Sequence, residues 1–154
     1  MAKKQKMSLK LLTKDNYLSM IENACGAKIW ANAYCLVNGR KEDILYNGSV
    51  SCAYFVSSIL KLFNFIKELH LTVKGTEKDL RESGWEKIYV SSKIPRGSVL
   101  IWAKKGQHSH IGFYIGKERA ISLWSYHNFP VIHHWTYKGK RKIIRAYWNP
   151  KIKN

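Results

Sequence analysis

At 154 residues, with 27 Lys and Arg against 10 Asp and Glu, the chain carries a formal charge of +17 yet is 45% hydrophobic and 13% aromatic. That much apolar material excludes disorder over most of the length, and the length suits one compact domain better than two. The positive field suits polyanions (nucleic acid, an anionic wall polymer or an anionic lipid surface). No helix reads as a basic recognition face, however, and no apolar run approaches the length of a membrane span.

Three cysteines, Cys25, Cys35 and Cys52, are an odd count without paired spacing, which argues against a disulfide framework or a zinc site of the CxxC kind. The opening MAKKQKMSLKLLTKDNYLSM has a basic front but no long apolar run and no small-residue cleavage site. The expectation is a protein kept in the cytoplasm unless an unrecognised route exports it. Residues 1–13 read as a basic flexible N-terminus and 14–154 as a single domain.

From Asp15, the apolar positions Tyr17, Met20, Ile21 and Ala24 follow helical spacing, and Ile29, Ala33, Leu36 and Val37 continue it after Gly26. The spacing predicts one interrupted helix or two short ones, ended by Asn38-Gly39, with Cys25 and Cys35 as buried, inert thiols. A loop with Asn47-Gly48 follows. The segment 51–70, SCAYFVSSILKLFNFIKELH, has one narrow polar stripe, Ser57, Lys61, Asn64 and Glu68, in an otherwise apolar surface. That is the pattern of a helix forming the buried spine of its domain. Ser51 suits the N-cap, which puts Cys52 in the first turn. A short helix follows, with Thr76 as cap and Asp79 at the capping-box position, closing at Gly84.

From Trp85 the pattern changes to short β-rich runs at 86–90, 99–103, 110–115, 120–125, 131–137 and 142–148, separated by Pro and Gly. Helices first and consecutive strands afterwards predict an α+β domain, its helices packed on an antiparallel sheet of five or six strands.

A thiol in the first turn of a helix is acidified by unpaired amides and the positive dipole end, and the same amides can hold an oxyanion. Cys52 occupies that position. His110 opens the run HIGFYIG, whose alternation puts His110, Gly112 and Tyr114 on one sheet face and Ile111, Phe113 and Ile115 on the other, apolar one. A strand histidine facing a helix-start cysteine is what an imidazole–thiol pair requires. Taken alone, each residue is also compatible with an inert structural role.

Together, SCAYFVSSIL and HSHIGFYIG resemble the NlpC/p-sixty family of papain-like cysteine peptidases. The turn Pro95-Arg96-Gly97-Ser98 before the apolar run VLIW stands where that family has a proline–glycine–acidic turn. The likeness covers about residues 46–148. It implies a papain-like fold, a thioester intermediate and cleavage of peptide amides in peptidoglycan stem peptides or their soluble fragments. Cys52 would be the nucleophile and His110 the base, with no cofactor. The chain departs from the family pattern at Ser51, where an acidic residue is usual, and at Ala53-Tyr54, where Ser-Gly is. The third role, orienting the imidazole, falls by position to Ser122, with His127 and Asn128 on the following loop as alternatives. Tyr46 is a candidate for a tyrosine near the oxyanion.

A zinc site from His108, His110 and a later histidine lacks a glutamate base at helical spacing, and His133 and His134, adjacent on a strand, should point to opposite faces. Trp124, Tyr126, Trp135, Tyr137, Tyr147 and Trp148 should divide between core and groove. Beside Lys138, Lys140, Arg141 and Lys142 they could also hold a nucleic-acid strand. The alternative to a hydrolase is therefore a weakly active or inactive basic module that binds an anionic wall polymer or nucleic acid.

Overall fold

The structure, a computed structural model, describes residues 7–154 apart from 92, 107 and 125. The elements are α1 (Thr13–Asn23), a single 3-10 turn (Lys28–Trp30), β1 (Tyr34–Val37), β2 (Arg40–Asp43), α2 (Cys52–Leu62), α3 (Val73–Glu82), β3 (Glu86–Ile88), β4 (Val99–Lys105), β5 (His108–Gly116), β6 (Arg119–Leu123), β7 (Pro130–His134) and β8 (Ile143–Trp148). Strands β3 to β8 form one antiparallel sheet in the order β3-β8-β4-β5-β6-β7, while β1 and β2 form a separate two-stranded hairpin. The protein is thus α+β, with helices on an antiparallel sheet as the sequence predicts. Ser125, expected at the end of a strand, lies outside the described residues. No described helix is long and apolar enough to cross a membrane.

The larger core lies between α2 and one sheet face. Phe55, Val56, Ile59 and Leu60 meet Ile111, Phe113, Ile115, Ile121 and Leu123, and all are buried. Each such side chain contributes about 1.5–3 kcal/mol, so α2 is held mainly by its apolar face. The expected division of β5 holds: Ile111, Phe113 and Ile115 enter this core. Tyr114 belongs to a smaller cluster on the opposite face with Leu100, Trp102, Ala120 and Trp135. Gly112 is needed on that second face because a Cβ there would meet the carbonyl oxygen of Ile121 at 2.6 Å and the Ser122 Cβ at 2.8 Å. Tyr17 of α1 donates to the Gly97 carbonyl at 2.8 Å and tethers α1 to the turn before β4.

Four local expectations are corrected. Residues 34–37, expected as the end of a helix, pair instead with 40–43 in the β1–β2 hairpin, because Asn38 (φ 50°) and Gly39 (φ 80°) both adopt the left-handed backbone of a tight hairpin turn. Cys35 is therefore half-buried on a strand and Cys25 is exposed, so neither is a core thiol. Helix α2 stops at Leu62, where Asn64 turns left-handed (φ 56°) and the Phe65 amide returns to the Leu60 carbonyl. Ser57 is consequently not on a solvent stripe: it is fully buried and exchanges hydrogen bonds with the main chain of His70. Finally, the cap of α3 is Thr72, whose side chain accepts from the Gly75 amide, not Thr76. Asp79 instead gathers the 67–70 loop, accepting from the Lys67 and Glu68 amides and from His70 Nε2.

Candidate active site

Cys52 is the first residue of α2, and its side chain is half-buried at the wall of a cleft of about 580 Å³ that His110 also lines. The Ile111 amide, one residue from His110, approaches the Cys52 sulfur together with the amides of Ala53 and of Cys52 itself. The sulfur thus lies against the His110–Ile111 peptide. Within the described residues, the amides of Cys52, Ala53 and Tyr54 donate to no main-chain carbonyl, the first bond of the helix being Phe55 to Ser51. These are the free donors that an oxyanion would need. The Ser51 hydroxyl makes no cap bond and is buried without a partner.

The thiol is not acidified as its helix position suggests. Burial pushes it above its ordinary value, outweighing the nearby amides and the Arg141 charge. His110, 5% exposed and packed at a tilt against Trp102, is pushed down to about 3, by burial first and then by the Arg141 charge and the neighbouring His133. Thiol and imidazole, both lining the cleft, are therefore neutral at rest, and no hydrogen bond joins them.

Of the three candidates for the orienting role, only Ser122 bonds to His110, its Oγ lying 2.9 Å from His110 Nε2. His127 is exposed and packs on Phe129, and Asn128 donates to Asn47 across the loop. Tyr46 is 72% exposed and does not line the cleft.

Ser122 also bonds to His133 Nε2 at 2.8 Å and to the Tyr137 hydroxyl at 3.1 Å. The direction of every proton in this group follows from one acceptor. His133 Nδ1 lies 2.9 Å from the His134 carbonyl, which can only accept, so the His133 proton is on Nδ1. Burial lowers the His133 pKa and keeps the ring neutral, so its Nε2 is bare and accepts from the Ser122 hydroxyl. With that proton committed, Ser122 Oγ accepts through its two lone pairs from His110 Nε2–H and from the Tyr137 hydroxyl. All three valences of the serine are filled, and the bare lone pair of His110 is on Nδ1.

His133 and Tyr137 were missed as site residues. Their distance in sequence from Ser122 hides a relation that the β6–β7 register creates: Ser122 pairs with Val131 and Ala120 with His133, so His133 is a diagonal neighbour of Ser122. Tyr137 sits at φ 52° in the turn after β7. That turn is held by His134 Nδ1, which accepts from the Thr136 and Lys138 amides. The two adjacent histidines therefore serve different structures. Among the described residues no group of three His, Cys, Asp or Glu is placed to hold a metal ion.

Around this centre the cleft is basic and aromatic. Trp124 and Tyr126, packed edge to face, line it with Lys74, Lys104, Lys105, Arg141 and Arg145, and Glu77 is the acidic residue among its lining. A thiol, an imidazole and helix-start amides share one cleft, and these are the group types that acyl transfer by a covalent route uses. No family model matches this chain, and no curated protein sequence matches it significantly.

Proposed function

We propose that the protein is a cysteine hydrolase that cleaves peptide amide bonds through a thioester, in peptidoglycan stem peptides or their soluble fragments. The observation that carries this reading is the saturated hydrogen-bond group on Ser122, which leaves an unprotonated His110 Nδ1 in the cleft that holds the Cys52 thiol. The choice of peptidoglycan rests on the resemblance to the NlpC/p-sixty peptidases.

Because thiol and imidazole are both neutral at rest, the proton moves as the bond forms. Cys52 Sγ attacks the amide carbon while its proton passes to His110 Nδ1, and the carbonyl oxygen takes up charge against the amides at the start of α2. Collapse expels the amine, which leaves with the proton from His110 and gives the thioester. Water, deprotonated by His110, then attacks the thioester carbon, and the carboxylic acid departs as the thiol regains its proton.

The test is incubation of muropeptides with wild type and with Cys52→Ala, read by mass spectrometry. Fragments gaining one water across an amide with wild type alone are expected. Equal fragments from both proteins, or none from either across muropeptides of different stems, would oppose the reading.

A second reading, a basic binding module with little catalysis, draws on the burial-raised thiol and on Trp124 and Tyr126 in a basic cleft. It predicts retention on anionic wall polymer or nucleic acid that Cys52→Ala leaves unchanged, with no turnover.

A further inference from the structure

Arg141 is unusual among the cations of the cleft. Arg145, on the same wall, is committed to Glu77, to which Tyr147 also donates. Arg141 is half-buried and, among the described residues, has no carboxylate within ion-pairing distance. It is fixed instead by the strand turn below it: Nε donates to the Ala103 carbonyl at 3.0 Å and Nη2 to the His108 carbonyl at 3.3 Å.

These two donors form one edge of the planar guanidinium. The other edge, Nη1 with the second hydrogen of Nη2, makes no hydrogen bond among the described residues. A pair of parallel N–H groups, locked in orientation and carrying an unneutralised charge, matches the two oxygens of a carboxylate. The side chain lines the cleft that holds the Cys52 thiol, and its charge acts on Cys52, His110 and Tyr137 alike. Lys74, Lys104 and Lys105, all exposed at the rim, strengthen the field without supplying a fixed fork.

We infer that the free edge of Arg141 is a carboxylate-binding subsite, so that the preferred acyl donors carry a carboxylate close to the amide that Cys52 attacks. The inference rests on the reading of Cys52 as nucleophile, and it selects carboxylate-bearing peptides over neutral ones and over nucleic acid.

Two alkylating agents of nearly equal size test it without knowledge of the substrate. Iodoacetate and iodoacetamide each form a carbon–sulfur bond with Cys52, releasing iodide and the thiol proton, but only iodoacetate presents a carboxylate. The rate ratio of iodoacetate to iodoacetamide is measured at Cys52 by mass spectrometry, with exposed Cys25 in the same molecule reporting the general effect of the +17 charge. The ratio at Cys52 should exceed that at Cys25 by roughly tenfold or more, as a charge-assisted fork in a partly dry cleft gives. In Arg141→Gln it should fall to the Cys25 value, and in Arg141→Lys, which keeps the charge but not the fork, to a value between.

Equal ratios at Cys52 and Cys25 in wild type would overturn the inference. So would a raised ratio that survives both substitutions, since the general field would then suffice. Should Arg141→Gln fail to fold, Arg141→Lys alone decides the role of the fork. N-acetylglutamate should slow iodoacetamide labelling of Cys52 more than inorganic phosphate does, and the reverse order would assign the subsite to phosphate. A carboxylate preference without muropeptide cleavage would sink only the hydrolase reading, and cleavage without the preference only this inference.

Discussion

Ser122→Ala removes one oxygen and with it three hydrogen bonds, to His110, His133 and Tyr137. The cost depends on which groups water can reach. His133 and Tyr137 are half-buried and recover part of their loss from solvent, whereas His110, 5% exposed, keeps an N–H with no acceptor. An unsatisfied buried donor costs about 1–3 kcal/mol, and a recoverable bond about 0.5–1.5. A total of about 2–6 kcal/mol is expected, read as a lower urea midpoint at constant slope.

Activity should fall for a separate reason. Without an acceptor at Nε2, His110 loses its preference for the tautomer that leaves Nδ1 bare, and it gains freedom to turn. The expected loss is about 10- to 100-fold in kcat, less than the ~10²–10⁴ that removing the base entirely costs. Nitrogen-detected NMR of the imidazoles gives the direct readout. Wild-type His110 should be the Nε2–H tautomer and His133 the Nδ1–H tautomer at neutral pH, with His110 becoming mixed in the variant. A wild-type His110 that is Nδ1–H or charged at neutral pH, or a Ser122→Ala enzyme of unchanged stability and rate, would refute the proton assignment.

Acid should destabilise the fold before any carboxylate titrates. The unfolded chain binds a proton at His110 near pH 6.5 but the folded chain only near 3, so the stability due to the neutral buried ring is fully present above about 6.5. It is lost as pH falls through that window at up to about 1.4 kcal/mol per unit, which urea titrations from pH 7 to 4 should show and His110→Gln should flatten. Asp43, held down to about 2 by the Asn47 amide and its neighbours, adds a loss below about pH 4. At the helix starts, Thr72→Ala should cost ~1 kcal/mol because its cap bond to Gly75 exists, while Ser51→Ala should be neutral or stabilising because its buried hydroxyl has no partner. Gly112→Ala should cost about 1–3 kcal/mol, since the Ile121 carbonyl it would meet is main chain and cannot swing away.

The placement of Cys52 at the start of α2 and of His110 near the start of β5 was legible because both elements have clear periodicity. The six-stranded sheet was legible from Pro and Gly spacing. The hairpin at 34–43 was not, because Ile29, Ala33, Leu36 and Val37 mimic a helical stripe, although Asn38-Gly39 carried the hairpin signal. The length of α2 was overread for a related reason. Phe63, Phe65 and Ile66 are apolar in either conformation, and only the left-handed Asn64 diverts them toward Tyr17 and Trp85. His133, Tyr137 and Arg141 reach the site through strand register and a left-handed turn, and no local pattern encodes either.

On the proposed hydrolase reading, the raised thiol changes which part of the site would carry the chemistry. A helix start favours a thiolate, but burial at Cys52 outweighs it, and His110 is buried too deeply to hold the matching positive charge. A preformed ion pair would tolerate a loosely held imidazole, because charge attraction alone keeps the partners together. A neutral pair has no such attraction, so the base must already be aimed with its lone pair toward the thiol when the substrate arrives. That demand falls on Ser122, whose hydroxyl is aligned by a carbonyl two hydrogen bonds away. On that hydrolase reading, a serine, a weak partner for an imidazole on its own, would suffice at this position because His133 and Tyr137 fill its remaining hydrogen-bonding positions.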